Sequence, residues 1–565
     1  MNTELKIAYF SMEIGLSNDI PTYSGGLGVL AGDTIKSGAD LKIPLVAVTL
    51  LSKKGFFQQD IDDEGRQIEC PVEWDPFRFM TRMPKRIVVK IEGRNVSIQA
   101  WRYEVKSIAG GAVDVLYLDT DVPENTQEDR EITAVLYGGD ERYRLKQEIV
   151  LGIGGVRILH ALGYQIKKYH MNEGHASLLT LELLLRHKRD IESVWDERWI
   201  WDMDAVKDLC VFTTHTPIEA GHDRFSYDLV KKVIGEIIPL TLLKKLGGEQ
   251  SLNMTLLALN LSNYINGVAK KHGEVSKSLF PGYEINAITN GVHSFTWTCE
   301  NFQRLYDKYI PGWAIEPELF VRAEIIPDDE LWTAHLSAKK DLCDFVKKTA
   351  SVELNPDVLT IGFARRFTSY KRADLIFSNL ERLVEAGKKG RFQIVFAGKA
   401  HPKDLPGKEI IKRIIEFSKT IDDNIKIVFL KNYNIAMALK LVSGVDVWLN
   451  TPLRPREASG TSGMKAAHNG VINFSVLDGW WIEGHIEGVT GWSIGPKSTE
   501  SSLTNTTDTA DAEDLYHKLE NIIIPTFYHD KNQWIKIMKN SISKIAYYFN
   551  SHRMMRRYVT DAYLR

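Results

Sequence analysis

Short runs of apolar residues alternate with amphipathic stretches along the whole chain. The runs that predict buried strands lie at 6–10, 45–51, 113–118, 209–213, 359–363, 393–397, 425–429 and 445–449. Between these runs, apolar residues recur at helical spacing, as they do at 144–162 and 176–189. This alternation predicts an α/β fold whose parallel sheets are covered by helices on both faces. Because one parallel sheet rarely absorbs so many strands, we expect two doubly wound halves.

The boundary between the halves is expected after residues 288–293, where a turn leads into the polar and aromatic segment 295–297. The expected domains are therefore 1–293 and 294–533, followed by a tail at 534–565. Apolar residues at helical spacing in the tail predict a terminal amphipathic helix that packs on the core. A polar stretch at 497–508 is the nearest approach to a loose linker.

The composition is typical of a soluble globular protein. Of the 565 residues, 44% are hydrophobic and 25% are charged, and the net charge of −2 gives no reason to expect a nucleic-acid or membrane partner. The longest apolar run, 43–51, is too short to cross a bilayer, and residues 1–6 show no signal-peptide pattern. The four cysteines lie far apart and are expected to be reduced and buried. We expect a cytoplasmic protein.

The most informative segment is 457–470, which reads Glu-Ala-Ser-Gly-Thr-Ser-Gly-Met-Lys-Ala-Ala-His-Asn-Gly. Its glycines and hydroxyls can offer donors to an anion, and the apolar neighbours of Lys465 favour the neutral, nucleophilic form of its amine. The segment therefore resembles a phosphate site beside a lysine that captures an aldehyde, and pyridoxal phosphate carries both groups. By itself, such a string is also typical of a loop that precedes a helix.

A second segment, 362–372, places four cations directly after a predicted strand: Arg365, Arg366, Lys371 and Arg372. Ligands of α/β proteins bind at the carboxyl ends of strands, so this position favours anion binding over a solvated basic loop.

Other candidate residues follow the first strands. Residues 23–31 hold three glycines before an apolar helix start, which favours an anion site made of free backbone amides, although Gly-Gly alone is also typical of a tight turn. His215 lies at the end of a predicted strand, although a lone histidine is more often a core or surface residue. The segment His170-Met-Asn-Glu-Gly-His175 lacks the HExxH spacing of a zinc site, and we expect no metal.

These segments occur in the same order as the motifs of the α-glucan phosphorylases, the family of glycogen, starch and maltodextrin phosphorylases. The chain resembles that family from about residue 7 to its end, and the block from Glu457 to Lys465 matches its pyridoxal phosphate signature. The resemblance implies a glycosyltransferase-B fold, with two Rossmann-like domains that face a central cleft and a C-terminal helix that crosses back to the first domain. It implies cofactor contacts from Lys465, Thr461, Ser462, Arg365, Trp297 and Tyr433.

The resemblance also assigns substrate roles. It places substrate phosphate against Gly25, Gly26, Leu27, Arg366 and Lys371, and it makes His215, Arg366 and Lys371 the catalytic residues. The contacts to the glucosyl unit and the glucan are Glu457, Ser459, Gly460, Asn290, Glu173 and His175. For Trp297 and Tyr433, a core aromatic would look the same in the sequence.

The implied reaction is reversible phosphorolysis of the non-reducing terminal unit of an α-1,4-glucan, which gives α-D-glucose 1-phosphate with retention. The partners are thus α-glucan and inorganic phosphate, and a homodimer is left open. In this family the 5′-phosphate of the cofactor acts as general acid and base, because a phosphate with a second pKa near ~6 exchanges protons near neutrality.

Three alternatives remain at this point. One is a pyridoxal enzyme in which the imine itself reacts, such as an aminotransferase, but no paired Asp and Arg signature supports it. Another is a nucleotide-sugar glucan synthase of the same fold, which would have no reason to keep Lys465 in this block. The third is a glycogen-binding relic without activity, against which the retention of nearly every charged site residue argues.

Two positions depart from the pattern of the large regulated enzymes. Ser462-Gly463 replaces their usual Gly-Asn, which indicates the short bacterial or archaeal branch, and Asn434 replaces a basic residue after Tyr433. The chain begins close to the first core strand, so we expect no N-terminal segment for phosphorylation or nucleotide control.

Overall fold

The computed structural model describes residues 4–190, 197–421, 424–496 and 508–565. The linker predicted at 497–508 therefore lies outside the described residues, except for its last position. The strands of the first half are β1 (Leu5–Ser11), β2 (Leu45–Leu50), β3 (Gln58–Ile61), β4 (Gln67–Cys70), β5 (Thr81–Ile91), β6 (Arg94–Lys106), β7 (Ala112–Asp119), β8 (Gln165–Asn172), β9 (Cys210–Thr213), β10 (Arg224–Ser226), β11 (Ser251–Asn253), β12 (Tyr264–Gly267) and β13 (Asn286–Ala287). Those of the second half are β14 (Leu359–Ala364), β15 (Phe392–Ala397), β16 (Ile425–Leu430), β17 (Val447–Asn450), β18 (Ile472–Val476) and β19 (Gly491–Ile494).

Two sheets dominate the fold. The first has the strand order β13-β12-β9-β8-β1-β2-β7-β6-β5. Its strands are parallel from β13 to β7, and the edge formed by β7, β6 and β5 is antiparallel. The second sheet has the order β16-β15-β14-β17-β18-β19 and is parallel throughout. The predicted α/β class with parallel sheets is confirmed.

Helices cover both sheets, as buried parallel sheets require. In the first half they are α1 (Gly26–Asp40), α2 (Gln127–Arg130), α3 (Glu141–Ile149), α4 (Gly155–Ala161), α5 (Leu179–Arg186), α6 (Met203–Leu209), α7 (Tyr227–Val233), α8 (Leu240–Gly247), α9 (Met254–Asn260) and α10 (Lys270–Leu279). In the second they are α11 (Ser294–Trp297), α12 (Glu300–Tyr309), α13 (Asp328–Ala350), α14 (Leu380–Lys389), α15 (Leu405–Thr420), α16 (Ile435–Gly444), α17 (Ser462–Ala467), α18 (Trp481–Gly484), α19 (Asp508–Lys518), α20 (Ile524–His529), α21 (Lys531–Asn540) and α22 (Ser551–Tyr558). Within the described ranges, no helix is both long and apolar enough to cross a membrane.

All eight predicted strands are present, as β1, β2, β7, β9, β14, β15, β16 and β17. The helix predicted at 144–162 is also present, although it starts at α3 and contains a π-helical turn, Val150–Gly154, before α4. The helix predicted at 176–189 is shorter, because a 3₁₀ turn precedes α5. Of the four cysteines, which are free thiols, only Cys210 is fully buried, so the prediction of burial is wrong for the other three.

The tail is not the single helix that its periodicity predicts. Asn550 interrupts it, because its side chain accepts a hydrogen bond from the amide of Arg553 at 2.8 Å and thereby caps a new helix, α22. The residues before the break pack into the core of the second sheet, and Met554, Met555 and Tyr558 pack with residues of the first sheet.

The chain passes between the two halves twice, and the two crossings lie side by side. The amide of Val292 donates to the carbonyl of Phe549 at 3.1 Å, and the amide of Ser551 donates to the carbonyl of Val292 at 2.9 Å. The end of α1 holds both crossings in place through Asp40. Its Oδ2 accepts hydrogen bonds from Nε2 of His293 in the first crossing, at 2.7 Å, and from Nε2 of His552 in the second, at 2.9 Å.

Candidate active site

The candidate residues lie at the carboxyl ends of parallel strands in both sheets, where ligands of α/β proteins bind. β1, β8 and β9 lead toward Glu13, Glu173 and His215, and β14 leads into the basic segment. The two edges meet directly: the amide of Ile435 donates to the hydroxyl of Tyr23 at 3.2 Å.

Lys465 lies in α17 and is buried beside residues of the first half. Its Nζ lies 4.0 Å from the centroid of the Trp297 ring and forms no hydrogen bond or ion pair with the described residues. Burial lowers the pKa of Lys465 to about 8; Asp33 opposes this shift and Lys36 adds to it. Much of the amine is therefore neutral near pH 8, as nucleophilic attack on an aldehyde requires.

The turn that precedes Lys465 depends on glycine. Gly460 has a φ of +83°, and a Cβ at Gly463 would lie 2.2 Å from Oδ1 of Asn473. Ser459 Oγ is buried without a hydrogen-bond partner among the described residues. Ser462 Oγ accepts a hydrogen bond from Trp448 Nε1 at 3.0 Å, which leaves its own proton available for a ligand.

Glu457 brings together two of the predicted cations. Its Oε2 accepts hydrogen bonds from Arg365 Nη2 at 2.7 Å and from Lys371 Nζ at 2.6 Å. Burial opposes ionisation, but Arg365 and Lys371 hold the pKa of Glu457 below its usual range. Arg365 Nε is buried and has no partner in the described part of the chain, so this cation has a further donor to offer.

The other two cations of the segment differ from this pair. Arg366 is exposed and forms no hydrogen bond or ion pair with the described residues. Arg372 is buried and binds Asp511 at 2.6 Å and the carbonyl of Thr451 at 2.9 Å, so it stabilises the fold rather than an anion.

The glycine loop leads into α1, whose first amides have no intrahelical acceptor. A Cβ on Gly25 or Gly26 would meet nothing within 4 Å, so the space in front of the loop is open to a ligand. The carboxylate of Glu13 accepts hydrogen bonds from the amide of Ser24 at 2.5 Å and from that of Gly25 at 3.1 Å. The loop therefore already binds the carboxylate of Glu13 through the amides that precede Leu27.

His215 is held by its neighbours in one tautomer. Asn172 Nδ2 donates to Ser11 Oγ at 3.1 Å, which turns Asn172 Oδ1 toward His215 Nε2 at 2.6 Å. Nε2 must then carry the proton. Burial lowers the pKa of His215 to about 4, so the ring is neutral near pH 7.

Glu173 organises the loop beside His215. Its backbone has a φ of +78°. Its carboxylate accepts hydrogen bonds from the amides of Gly174 at 3.0 Å and His215 at 2.8 Å and from the hydroxyl of Thr216 at 2.9 Å. Two other predicted glucan contacts carry unused atoms, because His175 Nδ1 and Asn290 Oδ1 are buried and unpaired among the described residues.

The two aromatic candidates lie close to the charged residues. Trp297 Nε1 donates to both carboxylate oxygens of Asp33, at 3.0 and 2.9 Å, which fixes the ring over Lys465. Burial raises the pKa of Tyr433, which Tyr23 raises further and the charge of Arg365 lowers. Asn434 caps α16 by accepting from the amide of Met437 at 2.9 Å, so this position serves the helix.

Three acidic residues of the site were not among the sequence candidates: Glu13, Asp33 and Asp478. Asp478 accepts hydrogen bonds from the amides of Glu457 at 2.9 Å and Gly479 at 2.8 Å, and burial raises its pKa to about 7. Glu13 and Asp478 each lie two residues after a strand, β1 and β18, and this position could have identified them. Asp33 lies inside α1, and no local signal marks it.

Comparison with known proteins agrees with this arrangement. Residues 236–518 match the carbohydrate phosphorylase family. The chain is 41% identical to the maltodextrin phosphorylase of Thermococcus litoralis, over 99% of this chain and 70% of that protein. It is 37% identical to the glycogen phosphorylase of Aquifex aeolicus, over 99% and 86%, and 34% identical to that of Mycobacterium tuberculosis, over 99% and 70%. The chain belongs to the carbohydrate phosphorylase family.

Proposed function

We propose that the protein is an α-1,4-glucan phosphorylase, an enzyme that transfers the non-reducing terminal glucosyl unit of glycogen, starch or maltodextrin to inorganic phosphate. The product would be α-D-glucose 1-phosphate with retained configuration. The names of the relatives, maltodextrin and glycogen phosphorylase, support this function. The observation that carries it is the buried, unpaired amine of Lys465 beside Trp297.

The residues present fit pyridoxal 5′-phosphate as cofactor. Lys465 supplies an amine with a lowered pKa for covalent attachment, and Arg365 has an unpaired buried Nε for a phosphate. Thr461 and Ser462 would add hydroxyl donors, and Trp297 and Tyr433 would line the ring. When bound, the cofactor supplies a phosphate that exchanges protons near neutrality.

Substrate phosphate would lie between the glycine loop and the cations. Arg366 is exposed and has no ion-pair partner among the described residues, and Lys371, which Glu457 holds in place, would be the second cation at the phosphate. The amides of Gly26 and Leu27 would complete this anion site, beside that of Gly25, which also donates to Glu13. Their combined charge offsets the repulsion between two phosphates in one dry cleft and stabilises charge that develops during transfer.

The glucosyl unit would lie against neutral and acidic groups. Ser459 Oγ and Asn290 Oδ1 are buried and unpaired within the described residues, and sugar hydroxyls can satisfy both. Glu457 and Gly460 would contact the same sugar. His215, which is neutral, would act as a hydrogen-bonding group rather than as a charged acid, and Glu173 and His175 would face the glucan.

The finer architecture belongs to the same proposal. We infer a glycosyltransferase-B arrangement, with Rossmann-like domains at 1–293 and 294–533 that face the cleft, and with 534–565 returning to the first domain. The packing of Met554 and Met555 among residues of the first sheet supports that return. A homodimer remains open.

A direct assay tests the function. Purified protein, supplied with pyridoxal phosphate, is incubated with maltoheptaose and phosphate, and glucose 1-phosphate and the cofactor absorbance are measured together. We expect both product and an absorbance band. A cofactor-loaded protein that neither forms glucose 1-phosphate from maltoheptaose and phosphate nor releases phosphate from glucose 1-phosphate and maltoheptaose would refute the proposal. Borohydride reduction distinguishes a phosphorylase, which need not lose activity, from an enzyme whose imine reacts.

A further inference from the structure

A cavity of about 730 Å³ adjoins the candidate site, and both halves of the chain line it. The first half contributes Tyr137, Arg144, His222 and Asp223, and the second contributes His401 and Lys403. Lys403 Nζ donates to the carbonyl of Gly139 at 2.6 Å, which joins the two walls.

Buried polar atoms without partners concentrate on one wall of this cavity. Among the described residues, hydrogen-bond partners are missing for three atoms of lining residues, Arg144 Nη1, His222 Nε2 and Asp223 Oδ2, and for Nδ1 of His175, which adjoins Asp223. Each such atom costs free energy unless a ligand or water satisfies it. A ligand with many hydroxyls, such as a glucan chain, supplies donors and acceptors to several such atoms at once.

Behind this wall lies a carboxyl group that the proposed reaction does not use. Glu148, in α3, is fully buried, and neither of its oxygens finds a donor in the described part of the chain. Its carboxyl lies within hydrogen-bonding range of the Asp223 carboxylate. Two ionised carboxylates only accept hydrogen bonds, so this contact requires a proton on one of them.

The neighbouring groups decide whether Glu148 or Asp223 carries the proton. Asp223 Oδ2 lies 3.4 Å from Nε2 of His175, and Asp223 lines the cavity together with Arg144, whose guanidinium lies 4.5 Å from the centroid of the Tyr137 ring. Both basic groups favour the ionised form of Asp223. Of these two basic groups Glu148 faces Arg144 alone, and it is fully buried, whereas the side chain of Asp223 is partly exposed.

We propose that Glu148 is a positioning residue for glucan binding. Its carboxyl stays protonated and donates a hydrogen bond to Asp223. This contact fixes Asp223, His175 and Arg144 where the acceptor end of the glucan lies. The proposal rests on the proposed phosphorylase function, because it assigns the cavity to the glucan. It assigns no bond-making step to Glu148.

A pH dependence follows from this arrangement. The groups that face Glu148 are Asp223 and Arg144, and His175 and His222 face Asp223 in turn. Burial and the neighbouring charge of Asp223 raise the pKa of Glu148 well above its usual range. When the pH rises above this raised pKa, Glu148 ionises, and the two carboxylates then repel each other and displace Asp223. The KM for glucan should then rise, whereas the KM for phosphate should not follow it.

The test compares Glu148→Gln with Glu148→Ala in the cofactor-loaded enzyme between pH 6 and 9.5. The amide of Gln can donate to Asp223 as the protonated acid does, so E148Q should keep its glucan KM within about threefold and lose the alkaline rise. E148A should raise the glucan KM on the order of tenfold and leave the phosphate KM within about twofold. Exposed Glu274→Gln, on α10, serves as the control for a lost surface charge, and thermal unfolding checks that each variant is folded.

The proposal fails if E148Q weakens glucan binding as much as E148A does, if its alkaline rise persists, or if both variants change the two KM values equally. Calorimetric binding of maltoheptaose to the same proteins separates this outcome from failure of the proposed function. A wild-type protein that binds maltoheptaose but forms no glucose 1-phosphate would refute the phosphorylase assignment, and the binding constants would still test Glu148.

Discussion

The Nζ of Lys371 donates a hydrogen bond to the carboxylate of Glu457 at 2.6 Å. The same oxygen accepts from Arg365, so a single buried carboxylate restrains two cations that would otherwise repel each other. Removing this charge leaves two uncompensated cations in the site. Glu457→Gln should therefore bind phosphate more tightly, with a lower KM for phosphate. Its kcat should fall on the order of 100-fold, because the two cations lose the carboxylate that positions them and the sugar loses a ligand.

Steady-state kinetics with phosphate as the varied substrate checks this split. The exposed Glu300→Gln, whose partner Arg304 is also exposed, is the matched control and should behave as the wild type. A higher phosphate KM in Glu457→Gln, or an unchanged kcat, would contradict the role given to this carboxylate.

Much of the site could be predicted because its residues follow strands. The basic segment after β14 and the loop around His215 after β9 were both identified by position, since a parallel sheet collects the carboxyl ends of its strands along one edge. Lys465 was identified through its glycine-rich turn. What the sequence could not show is the pairing: nothing local indicates that Arg365 binds Glu457 or that Arg372 binds Asp511, because these partners come from distant segments.

Two of the strands that the apolar runs do not predict, β5 and β6, have a physical reason in common. β5 and β6 form an antiparallel edge with one exposed face, and charged residues there interrupt the apolar runs. The tail was predicted as one helix because its apolar spacing continues past Asn550, and the cap at that residue outweighs the periodicity.

The pKa of Lys465, which burial lowers to about 8, makes cofactor loading dependent on pH. Since only the neutral amine attacks an aldehyde, the rate of loading of the apoprotein should rise about tenfold per pH unit below pH 8 and level off above it. The increase in cofactor absorbance after mixing with pyridoxal phosphate measures this rate. Lys465→Ala should bind no cofactor covalently, and a rate that is flat between pH 6 and 8 would contradict the lowered pKa.

Arg366 is exposed, and its side chain forms no ion pair with the described residues, so its charge is available to an incoming anion. Arg366→Ala should keep the cofactor band and the thermal stability but lower kcat/KM for phosphate on the order of 100-fold, as expected when a charged group that binds the transferred phosphate is lost. Arg304→Ala, at an exposed position on α12, removes the same charge away from the site and should have no effect. Retained phosphorolysis in Arg366→Ala would remove this residue from the phosphate site.

Asp40 joins the end of α1 to both crossings of the chain. Nδ1 of His552 lies 3.0 Å from the carbonyl of Ile315 while its Nε2 faces Asp40, so the ring is fixed from both sides. Burial opposes ionisation of Asp40, but hydrogen bonds from His293 and His552 hold its pKa well below its usual range. Asp40→Asn removes the charged acceptor of two buried hydrogen bonds, each worth about 1.5–3 kcal/mol, and should destabilise the protein by about 3–5 kcal/mol at pH 7.

The sign of the pH dependence follows from the lowered pKa. The stabilisation from ionised Asp40 is fully present above its unfolded pKa of about 3.9 and is lost as the pH falls through that value toward the folded one. The difference in Tm between wild type and Asp40→Asn, about 3–4 °C at pH 7 for a chain of 565 residues, should therefore shrink steadily below pH 4. Scanning calorimetry from pH 7 down to pH 3.5 measures this difference, with Glu300→Gln as a surface control expected to match the wild type. A Tm difference that stays constant over this range would show that Asp40 holds the crossings by shape and not by charge.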